Sequence, residues 1–202
     1  MPSSSSDAIV VDGLNCARVS REQMLRTLEG GVTAINLTAI RPPHDFATAM
    51  PALARSLAVI SENHDIAVIP RSVADIKAAK AAGKLAIILG AQNSVVVEED
   101  LELLRILQRI GFRILQPTYM ERNTLGCGVL AEGGDDGLTE KGERWVELMN
   151  ELRILIDLSH VGYRTAADVL ARSKRPVIFS HSNARAVCNS LRNIPDELIR
   201  AG

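Results

Sequence analysis

Between Leu152 and Asp196 the chain reads as two short apolar runs with a helix between them, and this repeat restricts the available folds most. The runs are Ile154-Leu155-Ile156 and Val177-Ile178-Phe179. Each leads into the same pair, Ser159-His160 and Ser180-His181. The spacing predicts a helix over about Tyr163 to Ser173. Run, helix and run make a βαβ unit, so the two strands are parallel and both histidines sit at carboxyl ends. Ligands and chemistry gather at that edge of parallel α/β sheets and barrels. Two imidazoles there can share one metal ion. They can equally be polar residues held by hydrogen bonds alone.

The rest of the chain repeats the alternation. Ala8 to Val11 reads as a first strand closed by an Asp12-Gly13 turn. Ser20 starts a helix with Met24, Leu25 and Leu28 on one face, and Gly30-Gly31 stops it. Val32 to Leu37 is the second strand. Pro42-Pro43 marks a loop, and a long helix follows over Phe46 to Asn63. Ile66 to Ile69 is a short strand, and Ser72 caps a helix that Gly83 ends. Leu85 to Leu89 is another strand, leading into Gly90-Ala91-Gln92-Asn93. Glu98 to Ile110 is read as an amphipathic helix with Leu101, Leu104, Ile106, Leu107 and Ile110 inward. Phe112 to Leu115 is a strand that delivers Tyr119 to a long Gly-, Asn- and Asp-rich loop, Met120 to Gly137. Thr139 caps the helix that precedes the βαβ unit, and Pro195-Asp196 starts a last one.

Strict alternation of strand and helix means a parallel α/β fold. Six main strands in 202 residues fall short of a closed eight-fold barrel, which takes about 250 residues. The expected class is therefore an incomplete parallel (β/α) TIM-type barrel over residues 8–202, with residues 1–7 a disordered polar tail. Aromatics make up only 3% of the chain, so Ala, Ile, Leu and Val build the core. A net charge of −1 points away from nucleic acid or a membrane as partner. Neither a GxGxxG after the first strand nor a GKS/T motif is present, which weakens the nucleotide-binding folds. Three well-separated cysteines (Cys16, Cys127, Cys188) form no disulfide framework and suit a reducing cytoplasm.

Three blocks carry a resemblance: Ile156-Asp157-Leu158-Ser159-His160, Pro176 to Ser182, and Leu191-Arg192-Asn193-Ile194-Pro195-Asp196. Their order and spacing resemble the signature blocks of the membrane (renal) dipeptidase family. Gly137-Leu138-Thr139 with Met149-Asn150 fits the same pattern. The resemblance implies a dizinc hydrolase on an amidohydrolase-type barrel. It makes His160 and His181 ligands of a zinc ion and Arg192 the cation that grips a substrate carboxylate. Tyr119 falls where the family carries a histidine that polarises the scissile carbonyl.

The chain also departs from that pattern. The family's first strand ends in Asp-Gly-His-Asn-Asp, and here the place reads Asp12-Gly13-Leu14-Asn15-Cys16. The family's bridging glutamate is replaced by Gln92, whose neutral amide offsets no metal charge. The late acid/base aspartate would lie beyond Gly202. A single zinc on His160 and His181, helped by Gln92 or Cys16, or no metal at all, is the expectation. Two functions follow: a metal-dependent hydrolase of dipeptides or small amides, or a small-molecule-binding relative with a decayed metal site. A barrel short of two units also exposes strand edges, so homo-oligomerisation is expected. Asp157 reads as a residue that orients its neighbours, and His44 and His64 as solvent-facing.

Overall fold

The computed structural model describes residues 8–201; the expected tail over 1–7 lies outside them. Parallel strands alternate with helices: β1 (Val11–Asn15), α1 (Arg21–Glu29), β2 (Ala34–Ile40), α2 (Phe46–Glu62), β3 (Ala67–Val68), α3 (Val73–Ala81) and β4 (Leu85–Ala91). Then come α4 (Leu103–Ile110), β5 (Phe112–Leu115), α5 (Glu140–Leu152), β6 (Leu155–Asp157), α6 (Tyr163–Arg172), β7 (Val177–Ile178) and α7 (Asp196–Ala201). The sheet runs β1-β2-β4-β5-β6-β7, with the short β3 added to β4, and every pairing is parallel. This is an incomplete TIM-type barrel. No helix among the described residues is long and apolar enough to cross a membrane.

Strand period decides the two faces of the sheet. Ile35, Leu37, Leu85, Ile87, Leu89, Leu115 and Ile156 point one way and form the main core. The helices cover that face with Met24, Leu53, Ile60, Leu104, Leu107, Met149 and Val169. Leu104 and Leu107 are fully buried, each contributing about 1.5–3 kcal/mol by transfer from water. The opposite face carries Ala34 and Ala86, small enough for Ala79 of α3 to pack with them, and Ile76 and Ile88 lie against this cluster. At Gly90 on this face a Cβ would fall 2.3 Å from Asn36 Oδ1, so a side chain there would have to push that amide aside.

Helix caps follow the sequence. The side chains of Ser20, Ser72 and Thr139 each accept from the third backbone N–H of their helix, and Asp75 closes a capping box with Ser72. Three expectations need correction. β1 begins at Val11, where its partner Ala34 lies, so Asp12-Gly13 is strand and not turn. The helix expected from Glu98 begins only at Leu103, because Val95–Val97 form a separate 3₁₀ turn and the Asp100 carboxylate caps the N–H of Glu102. That shift leaves Ile106 45% exposed, while Leu104 and Leu107 keep the buried stripe. Leu25 likewise lies at the rim of α1, at 38% exposure. His44 and His64 are exposed as expected.

Candidate active site at the strand carboxyl ends

β6 and β7 deliver the two Ser-His pairs side by side. The His160 and His181 rings lie 4.8 Å apart between centroids. Asp157, at the end of β6 and 1% exposed, ties the pairs together. Its Oδ1 accepts from the backbone N–H groups of Ser159 and Ser180, both at 3.0 Å. Its Oδ2 accepts from Gln116 Nε2 at 2.7 Å and from Ser180 Oγ at 2.5 Å. The Ser159 hydroxyl accepts in turn from the His181 backbone N–H at 3.1 Å.

These partners fix the imidazole tautomers. Ser180 gives its proton to the carboxylate, so at 2.7 Å its oxygen accepts from His181 Nδ1–H. The lone pair of His181 is then on Nε2, which is buried without a hydrogen-bond partner. Beside His160 stands Arg192, which can only donate. Its Nη2 lies 3.3 Å from His160 Nε2, so that nitrogen accepts and the ring proton sits on Nδ1, 3.1 Å from Met120 Sδ. The Tyr119 ring packs against the same imidazole, centroids 4.2 Å apart. His160 (φ 70°) and Met120 (φ 57°) are both held in the left-handed region, a conformation that costs a residue with a Cβ about 1–2 kcal/mol. The Val129 N–H, donating to the His160 carbonyl at 2.9 Å, pins that turn.

Arg192 enters from the stretch between β7 and α7. It donates to Ser182 Oγ and to the His181 carbonyl, both at 3.3 Å. Burial lowers the pKa of its guanidinium, a shift opposed by Tyr119 and Asp157. Among the described residues no carboxylate stands within ion-pair distance of it. A narrow cleft runs along this wall, lined by Val129, Leu158, His160, Phe179, Ser182 and Arg192.

Burial also drives the His160 pKa down, to about 3, with the Arg192 charge and His181 adding to the effect. His181 is lowered by burial as well, against the pull of Asp157. His160 is therefore expected to stay neutral at pH 5, which its ring-proton shifts in an NMR titration will show. Between about 3 and the ordinary 6.5 the unfolded chain binds the proton that folded His160 refuses. Stability from this group is complete above 6.5 and is lost as the pH falls toward 3.

Of the six residues singled out by the sequence, the structure gathers His160, His181, Arg192 and Tyr119. Gln92 and Cys16 form a second group at the ends of β4 and β1. Gln92 Nε2 donates to Thr38 Oγ1 at 2.9 Å and to Cys16 Sγ at 3.1 Å, and Cys16 Sγ lies 3.3 Å from the same hydroxyl. Neither residue hydrogen-bonds either histidine. The two groups meet through the backbone, since a Cβ on Gly13 of β1 would stand 2.5 Å from the Ser180 carbonyl oxygen.

The fit to a zinc centre can be judged from these contacts. Two neutral imidazoles offer Nε2 lone pairs, but a guanidinium already holds one of them. Among the described residues no group of three His, Cys, Asp or Glu is placed to hold a metal ion, and protein zinc sites take three or four ligands. Leu14 cannot ligate, and Gln92 offers only a neutral amide oxygen, with its N–H groups turned to Cys16 and Thr38 rather than to the histidines. The described residues do not fit a dinuclear zinc centre. Sequence reading did not foresee the Asp157–Ser180–His181 chain or the seat of Arg192 on His160. The repeated Ser before each His was the available signal for the first.

Comparison with known proteins agrees with this architecture. The profile of the membrane dipeptidase family (peptidase family M19) matches residues 18–201. An amidohydrolase from Pseudomonas aeruginosa superposes with a TM-score of 0.93 at 34% identity, over 98% of this chain and 60% of its own. The metallopeptidase dipeptidase AC superposes at 0.80 with 25% identity, over 96% of this chain and 68% of its own. A Rhodobacter sphaeroides metallopeptidase, solved with a phosphinate mimic of the dipeptide L-Ala-D-Ala, shares the fold at a TM-score of 0.80 and 23% identity, over 96% of this chain and 70% of its own. The chain thus spans about 60% of the amidohydrolase's length. With the family profile matched across nearly the whole chain, and with both Ser-His pairs at the strand ends, the chain belongs to the membrane dipeptidase family.

Proposed function

We propose that the pocket recognises the carboxylate end of a dipeptide or of a small amide-bearing amino-acid derivative, as the substrate site of a dipeptidase-like hydrolase. One observation carries this reading: Arg192 is a half-buried guanidinium with no carboxylate counter-ion among the described residues. Three donor contacts hold it in place, to Ser182, His181 and His160, and a guanidinium has five N–H groups. Nε–H and one Nη1–H are left over, and an entering carboxylate would complete the forked, two-bond grip by drawing an Nη2 hydrogen from one of the two long 3.3 Å contacts. Tyr119 packs against the His160 ring, and its phenol would face the body of the ligand. Zinc chemistry of the family's kind would draw on His160 and His181, the two imidazoles at this site.

Calorimetry with glycylglycine and with its C-terminal amide tests the reading. Wild-type protein is expected to bind the acid at least about tenfold more tightly than the amide, the scale of hydrogen bonds to a charged group. Arg192→Met is expected to erase that preference while leaving the melting temperature within a few degrees. Equal binding of acid and amide by the wild type would overturn it.

The closed Cys16–Thr38–Gln92 group favours a second reading, ligand binding without turnover. Dipeptide hydrolysis that vanishes on chelation and returns with zinc supports the hydrolase. Binding with no hydrolysis under either condition supports the binder.

A further inference from the structure

We propose that Arg192 and a metal ion compete for one atom, His160 Nε2, so that the guanidinium guards this imidazole against zinc. The geometry leaves little freedom. His160 is gripped on three sides: Tyr119 packs on its ring, Met120 Sδ lies at Nδ1, and the backbone is pinned by Val129. The ring cannot turn Nε2 toward another part of the pocket without breaking these contacts. Arg192 Nη2 sits 3.3 Å from that nitrogen and is anchored by Ser182 Oγ and the His181 carbonyl. Zinc binds imidazole nitrogen at about 2.0–2.1 Å along the lone pair. An ion there would crowd Nη2 and place a double positive charge beside a guanidinium. One cation must leave for the other to enter.

The companion nitrogen is in the opposite condition. His181 Nε2 is buried, carries a lone pair, and has no partner. The pair is thus half blocked: His181 offers an acceptor and His160 has spent its own on Arg192. Under the reading proposed above this arginine holds substrate; here it also takes the place at the imidazole that a metal would take. This holds whichever carboxylate the pocket accepts, and the test uses zinc alone.

Equilibrium dialysis of the full chain against zinc, after exhaustive chelation, reads the competition. Arg192→Met keeps a side chain of similar reach and removes the charge. It is expected to bind zinc at least about tenfold more tightly than the wild type, the scale of one hydrogen bond to a charged group. The gain should disappear in Arg192→Met combined with His160→Ala. Affinity no higher than wild type, or a gain that survives removal of His160, would overturn the proposal. If Arg192→Met fails to fold, the wild type decides by NMR. Zinc at high concentration should shift the Arg192 side-chain N–H signals together with those of His160. Zinc that shifts His160 and leaves Arg192 unmoved would contradict competition.

Discussion

Asp157→Ala is expected to lower the unfolding free energy by about 3–5 kcal/mol, the range seen when one member of a buried charged network is removed. The carboxylate is 1% exposed and accepts from four donors. Removing it strands Gln116 Nε2 and two backbone N–H groups inside the protein, where each unpaired group costs about 1–3 kcal/mol. It also frees the Ser180 hydroxyl to turn, so His181 loses the contact that keeps its proton on Nδ1. Urea unfolding gives the first effect, and the ring nitrogen shifts of His181 give the second. A loss below about 1 kcal/mol would mean that the network is not closed as described.

Gly13→Ala is expected to disturb the site from the far side of the sheet. The added Cβ would stand 2.5 Å from the Ser180 carbonyl oxygen, which is backbone and cannot swing away. Either β1 or the end of β7 must move, at an overpacking cost of about 1–3 kcal/mol. His181 follows Ser180 directly, so carboxylate binding should weaken along with stability. Gly133→Ala is the control: its Cβ would meet nothing within 4 Å, so only its left-handed backbone is penalised. Chemical denaturation and calorimetry on the two variants separate the effects. If Gly13→Ala binds glycylglycine as the wild type does, the closeness of β1 to the Ser180 backbone does not shape the pocket.

Local chemistry was legible in the sequence and distant chemistry was not. Phe112–Leu115 was readable to the residue because Phe112, Ile114 and Leu115 have Gly111 before them and Gln116-Pro117 after, which bound a short strand on both sides. Ser20, Ser72 and Thr139 were readable as caps because an N-cap needs only its own helix. Both histidines were placed at strand ends because βαβ connectivity dictates it. The start of α4 was misjudged because Glu98-Glu99-Asp100 suits a helix start as well as the turn that Asp100 makes. Asp157 was readable as an orienting residue, but its partners Gln116 and Ser180 stand 41 and 23 positions away. The seat of Arg192 on His160 spans 32 positions. Such contacts depend on how neighbouring strands are registered, which no short window of sequence contains.

The most direct check is an experimental structure of the protein with glycylglycine bound. The account predicts the ligand carboxylate in two parallel hydrogen bonds to the Arg192 guanidinium at about 2.8 Å, beside neighbouring His160 and His181 rings. A carboxylate seated elsewhere, or either ring turned into the packed core, would contradict it.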